Sequence, residues 1–197
     1  ISRNNLMKIV IYNFKYLLIT FITLCFNSHL AQNKTVIIDE LVINDDLYLY
    51  KGVAFTGLAF YKAKTGQFIA EVPFENGKMH GKRICYNYRG KVLSKDKFKK
   101  GIGKMKIYYS NDHLKNEGVV DNGRKEGVWS YYNKNGVIKA EECWGKNGEE
   151  ILLWEKYFNK LGLLESELIY KNGSLAEERY YNEEGEIFKT NNYIDNK

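Results

Sequence analysis

Proline occurs once in the 197 residues, histidine three times and cysteine three times. One proline beside 17 glycines excludes collagen and proline-rich linkers. So few histidines and cysteines, with no pair at ligand spacing, argue against a structural metal site. No apolar run approaches the ~20 residues of an ordinary membrane span. At 44% hydrophobic and 27% charged residues, the chain is neither disordered nor an integral membrane protein. What it does have is aromatic residues, 16 Tyr and 10 Phe, and glycine, with little alanine. That mixture favours strands and turns over helical bundles. The length suits one domain with a core or an array of small units.

Acidic residues are absent from residues 1–31, which carry Arg3, Lys8 and Lys15. With Met7 read as the start and Ile1 to Leu6 as upstream residues, a basic stretch precedes an apolar run, Tyr16 to Phe26, and a polar stretch ending at Ala31. This is the pattern of an export signal. Cleavage after Ala31 is the first reading. Lipid anchoring at Cys25 is the second and an uncleaved anchor the third. The expected location is therefore the periplasm, the cell surface or the medium, with no transmembrane span in the mature form. Without residues 1–31 the net charge falls from +6 to +3. Residues 78–125 carry 14 Lys and Arg against 4 acids, and residues 140–197 carry 7 against 13. This asymmetry marks either a partner surface or ordinary solvated strand faces, and the second is preferred.

Aromatic pairs recur at Phe60-Tyr61, Tyr108-Tyr109, Tyr131-Tyr132, Tyr157-Phe158 and Tyr180-Tyr181, with Cys85-Tyr86 filling the gap. Their second members are 23 to 26 residues apart. A turn follows each pair, with Gly66, Gly90, Gly136, Gly162 and Gly185, or Asp112-His113 in the third unit. A second turn closes each unit at Asn76-Gly77, Lys100-Gly101, Asn122-Gly123, Asn147-Gly148 and Asn172-Gly173. Asn-Gly favours left-handed backbone at tight hairpins. The period predicts six two-stranded hairpins, roughly twelve strands, joined edge to edge. The expected fold is all-β: an elongated antiparallel meander in a single twisted sheet. Residues 32–55 read as an N-terminal strand cap and 56–197 as the repeat array, with strands at Val36 to Ile38 and Leu41 to Ile43 and a turn at Asp45-Asp46.

These units resemble the MORN-repeat variant family. The segments that carry the likeness are Gly127-Val128-Trp129-Ser130-Tyr131-Tyr132-Asn133-Lys134-Asn135-Gly136 and Phe74-Glu75-Asn76-Gly77-Lys78-Met79-His80-Gly81, together with the opening Tyr50-Lys51-Gly52-Val53-Ala54-Phe55-Thr56-Gly57. The resemblance covers Tyr48 to the end. Many proteins of the family are labelled YwqK-like antitoxins, and MORN-type repeats in general are associated with protein scaffolding and lipid contact. The departures are Cys85, His113 and Gly145 at positions where the family carries an aromatic, a turn glycine and a tyrosine.

No catalytic set converges. Ser94-Lys95-Asp96-Lys97 has a nucleophile–base spacing, but in a strand its first and last members face opposite sides. His80 and His113 sit at separate turns. The acidic pairs, Glu149-Glu150 among them, lack calcium-loop spacing. The expectation is a protein with no enzymatic activity and no cofactor. Trp129, Trp144 and Trp154, with Tyr131 and Tyr108 from the tyrosine rows, are the candidate binding face for a peptide, glycan or lipid head group. The alternative is that they only cover the sheet. Export argues against a nucleic-acid partner. A binding or scaffold module for a protein or cell-surface ligand leads, and an antitoxin-like inhibitor is the alternative. Cys85 and Cys143, five strands apart in the expected lattice, are separated by ~24 Å, beyond the ~7 Å of a disulfide. Two free thiols are expected, partly buried in place of larger aromatics.

Overall fold

A computed structural model describes residues 34–146 and 151–193. The upstream and signal residues 1–31, the Asn147-Gly148 turn and Glu149-Glu150 lie outside the described residues. All that follows belongs to the unit Thr35–Lys197.

The repeats form as the period predicts. Six hairpins follow one another: β5 (Gly57–Lys62) with β6 (Phe68–Glu75), β8 (Gly81–Tyr86) with β9 (Val92–Lys99), β10 (Ile102–Tyr108) with β11 (Leu114–Asp121), β12 (Arg124–Tyr132) with β13 (Ile138–Trp144), β14 (Leu152–Phe158) with β15 (Leu164–Lys171), and β16 (Ser174–Tyr181) with β17 (Ile187–Asn192). A short β7 (Lys78–Met79) folds back on β6. These strands run in chain order across one antiparallel sheet that does not close into a barrel. No α-helix occurs among the described residues, and no helix there is long and apolar enough to cross a membrane.

Two kinds of turn build the array. Where Asn-Gly or Lys-Gly closes a unit, both residues are left-handed: Asn76 and Gly77 have φ of 50° and 78°, and Asn172 and Gly173 repeat those values. This is the primed turn whose twist matches a hairpin. At the aromatic end, Asn87, Asn133, Asn159 and Asn182 open the turn, each side-chain oxygen accepting backbone N–H bonds from residues further on (Lys91, Val137, Leu163 and Glu186). Just before these asparagines, and before Ala63 and Tyr109 at the same place in the first and third units, the ladder slips by a bulge, between Tyr61/Lys62, Cys85/Tyr86, Ile107/Tyr108, Tyr131/Tyr132, Tyr157/Phe158 and Tyr180/Tyr181. The bulge corrects the repeat register. In the first unit Tyr61, not Phe60, is equivalent to Tyr131. In the third unit Ile107-Tyr108, not Tyr108-Tyr109, is the pair.

The cap differs in detail from expectation. β1 (Thr35–Ile37) pairs parallel with β5, adding an edge strand to the large sheet. A 3₁₀ turn, Ile38–Glu40, then turns the chain. β2 (Val42–Asn44), β3 (Leu47–Tyr50) and β4 (Val53–Ala54) make a separate three-stranded sheet, with the Asp45-Asp46 turn left-handed as a tight hairpin requires. This small sheet is tied to the first repeat turn: Tyr48 N–H donates to Gly77 O, Gly77 N–H to Phe55 O, and Phe55 N–H to Tyr48 O. A Cβ on Gly77 would sit 3.1 Å from that of Leu47, so the close approach requires glycine.

Residues opposed across the ladder share a face. The face covered by the cap, here the inner face, carries Ala59, Val72, Phe74, Phe98, Val120 and Trp129, which form one buried cluster with Val36, Ile38, Phe55 and Met79. Phe55 is only 2% exposed. The outer face of β8, β9 and β10 presents Lys82, Lys95, Lys97, Lys99, Lys104 and Lys106, so the basic excess of residues 78–125 is largely a solvent-facing surface. Ser94 and Lys97 both lie in β9, on opposite faces.

Candidate binding face

The inner face changes character along the array. In the second unit it carries a buried ion pair: Arg83 Nη1 donates to Asp96 Oδ2 at 2.7 Å, and the two side chains are 9% and 5% exposed. β9 and β10 pair only at Lys99↔Ile102 and Phe98↔Gly103 and then separate. Beyond the split, the ion pair replaces the missing ladder. Arg83 Nη1 donates to Lys106 O at 2.9 Å, and Lys106 N–H donates to Asp96 Oδ2 at 3.2 Å. Two buried charges are tolerated here because each also satisfies a backbone group.

In the fourth unit the inner face forms an aromatic cage. The Lys125 ammonium lies 5.6 Å from the Trp129 ring centre, 5.2 Å from that of Tyr131 and 5.0 Å from that of Trp144. Glu142 Oε2 closes the cage, accepting from Lys125 Nζ at 2.6 Å and from Tyr131 O–H and Trp144 Nε1–H at 2.8 Å each. Burial alone would raise the Glu142 carboxyl. The bonds from Lys125, Trp144 and Tyr131 outweigh it and hold the group below its ordinary value. Burial likewise opposes the Lys125 charge, and Glu142 and Tyr131 reverse this to raise it. Trp129 lies flat over Gly118, where a Cβ would come within 2.4 Å of the indole, and its Nε1–H donates to Val119 O.

The fifth and sixth units repeat a simpler motif. Glu155 accepts from Tyr157 O–H at 3.1 Å and Tyr170 O–H at 2.6 Å. Glu178 accepts from Tyr180 O–H at 3.1 Å and Tyr193 O–H at 2.8 Å. Lys189 sits over the Tyr180 ring at 5.1 Å. Among the described residues no Lys or Arg forms an ion pair with Glu155. Glu155 stands directly opposite Glu142, and the row continues through Leu168 to Glu178. The face is thus a line of carboxylates, each hydrogen-bonded by aromatic side chains.

The structure brings together three of the five candidate residues, Trp129, Tyr131 and Trp144. Tyr108 stands apart from the cage, in a cavity beside the β9–β10 split that Lys125 and Trp129 also line. There burial pushes its hydroxyl up. Trp154 is opposed to Cys143 and Ile169 on the outer face, with the Lys156 ammonium 4.9 Å from its ring centre. It therefore does not belong to the cage. Lys125, Glu142 and Glu155 were not among the sequence candidates. The signal for the two acids was available, an acid two residues before an aromatic, as in Glu142 before Trp144 and Glu155 before Tyr157; Lys125 had none. Cys85 and Cys143 carry free thiols on β8 and β13. Cys85 is buried, and burial raises both thiols. Among the described residues no group of three or more His, Cys, Asp or Glu side chains is gathered to hold a metal ion.

No family model matches the chain. No curated protein matches it significantly. Among solved structures it is similar to a crystal structure of a mutant of S. aureus TarM in complex with fondaparinux, alpha-GlcNAc-glycerol and UDP, at 10% identity over 71% of this chain, with a TM-score of 0.31. The match spans 21% of that structure's length. So slight a likeness bears on neither fold nor function.

Proposed function

We propose that this protein is a non-enzymatic, exported binding or scaffold module of the MORN-repeat type, and that its inner face over units four to six receives a protein segment bearing lysine or arginine. One observation carries the reading. The line of carboxylates and rings already draws in the chain's own ammonium groups, Lys125 at Glu142 and Lys189 at Tyr180, while Glu155 between them is bonded only by tyrosine hydroxyls. An ammonium or guanidinium over an aromatic face gains ~0.5–2 kcal/mol, more as it is desolvated. The excess of acids in residues 140–197 adds long-range attraction for a basic partner. The same chemistry suits the second reading, an antitoxin-like inhibitor whose target toxin has a basic surface.

The test is titration with an oligolysine peptide, followed by tryptophan fluorescence at two salt concentrations, with phosphatidylcholine vesicles in parallel. The expected result is saturable peptide binding that weakens with salt and drops at least fivefold in Glu155→Gln. Equal binding by Glu155→Gln, or binding to the vesicles alone, would overturn the reading.

A further inference from the structure

The chain presents two faces of opposite sign. On the outer face of β8 and β9, Lys82, Lys95, Lys97 and Lys99 are exposed, and among the described residues none of them forms an ion pair. Lys82 and Lys97 stand directly opposite one another across the ladder. Like charges so placed destabilise a sheet. The neighbouring outer acids do not relieve them: Glu117 is taken by Lys104 at 2.9 Å, and Glu71 accepts from Tyr86 O–H. On the inner face of β14 and β16, Glu155 and Glu178 accept hydrogen bonds only from neutral groups, tyrosine hydroxyls and, for Glu178, the Asn191 amide. Among the described residues no Lys or Arg forms an ion pair with either.

We infer that the basic partner of this inner face is a second copy of the chain: the outer lysines of β8 and β9 in one copy dock on Glu155 and Glu178 of the next. The inference rests on the proposed reading of the inner face as a receptor for basic groups, and it names the partner. One chain supplies both charges, with 14 Lys and Arg against 4 acids in residues 78–125 and 7 against 13 in residues 140–197. Complementary potentials of this kind steer association and choose the partner. The spacings also correspond. Lys82 and Lys95 are diagonal neighbours, ~7–8 Å apart. Glu155 and Glu178 are two strands apart, ~9.6 Å. The long lysine stems span the difference. Each copy uses one face in a contact and leaves the other free, so the interface is heterologous and copies add head to tail. The contact is weak and salt-sensitive, because exposed charges carry it.

The test is sedimentation velocity of the full chain over a concentration series, at ~0.02 M and ~0.5 M salt, with two double charge reversals. Lys95→Glu with Lys97→Glu makes the outer face acidic. Glu155→Lys with Glu178→Lys makes the inner face basic. Wild type should associate at low salt and be monomeric at high salt. Each reversed protein alone should associate at least tenfold more weakly. An equimolar mixture of the two should associate within threefold of wild type, because each then offers the charge that the other lacks. Restoration on mixing also shows that both variants fold. Where a reversed protein melts well below wild type, the milder Lys95→Gln with Lys97→Gln takes its place and should weaken association at least fivefold. Oligolysine should compete and dissolve the oligomer. A chain that is monomeric at low salt yet binds oligolysine would overturn this inference and leave the proposed function standing, whereas loss of oligolysine binding as well would overturn both. Association unchanged by either reversal, or not restored by mixing two variants that melt as wild type, would also overturn it. So would a monomeric chain that binds phosphatidylglycerol vesicles through Lys95 and Lys97.

Discussion

The strands up to β12 and those from β13 onward share a repeat but not a way of being stable. From β5 to β12 the inner face is covered by the cap and holds the array's buried apolar side chains among the described residues. From β13 to Tyr193 no described side chain is buried. There the sheet is a single layer, supported by ladder hydrogen bonds, cross-strand pairs and the Tyr–Glu bonds at Glu155 and Glu178. A lone hairpin is marginal in water. The open units therefore borrow order from the covered ones through edge pairing, as nearest-neighbour repeats do. The lesson is that one repeat serves two purposes according to what lies on its inner face. Val72 and Phe74 under the cap make a core, whereas Glu155 and Tyr157 without a cap leave an open polar and aromatic surface.

The strongest way to break this comparison is to remove the cap's anchor. Phe55→Ala deletes a ring packed on Phe74 at 5.7 Å between centroids. It should cost ~3–5 kcal/mol, as large truncations in cores do. Tyr157→Ala, in the open region and 40% exposed, should cost under ~1 kcal/mol, the scale of a cross-strand pair. Chemical denaturation of both variants makes the comparison. Similar losses would remove the distinction between the regions.

Asp96→Ala comes next. It leaves Arg83 buried and uncompensated and Lys106 N–H without its acceptor, at a cost of ~3–5 kcal/mol. Thermal melts of the variant measure it. A change below ~1 kcal/mol would mean that the split between β9 and β10 is not held by this pair.

Gly118→Ala tests the seam between the regions. The added methyl meets the Trp129 ring, and relief requires moving the indole off Val119 O, for ~1–3 kcal/mol. The readout is loss of stability together with a red shift of tryptophan emission.

The smallest effect is the pH dependence of the cage. Glu142 titrates below its ordinary value of 4.5 when folded. Its contribution is therefore complete above about pH 4.5 and is lost as pH falls through the lowered folded value. Lys125 is raised above 10.5, so its share is complete below that pH and is lost on going more alkaline. Denaturation of wild type and Glu142→Gln across pH 3 to 6 should show the difference between them shrinking on the acid side. A difference that grows as the pH falls would contradict the assigned cage.

Much of this architecture was legible in the residues. Asn-Gly pairs mark the tight turns because few other dipeptides accept two left-handed residues, and the aromatic period counts the hairpins. The register was less legible. Phe60-Tyr61 and Tyr108-Tyr109 look like the repeat pair, but the bulge and the turn-opening residue two positions later, Ala63 and Tyr109 where other units carry Asn87 or Asn133, place it at Tyr61-Lys62 and Ile107-Tyr108. The fold-back of residues 38–55 onto Gly77 depends on contacts distant in sequence, which no local pattern encodes. Of the candidate face, Trp129, Tyr131 and Trp144 stood out as large rings, Trp being present in only some units, but the sheet face they take was not legible. Trp154 misled because a bulge between Cys143 and Trp144 changes which residues oppose one another. Arg83 and Asp96 were hidden among lysines of the same strands, although Asp96 is the one acid in Lys95-Asp96-Lys97.

Hydrogen exchange of the full chain, resolved by peptide, tests the two-region account most directly. Backbone amides of β6, β8, β11 and β12 should be protected longest. Those of β14 to β17 should exchange at least tenfold faster and slow when the oligolysine peptide is added, with β6 and β8 unchanged. Uniform protection across all six hairpins, or slowest exchange in β14 to β17, would contradict it.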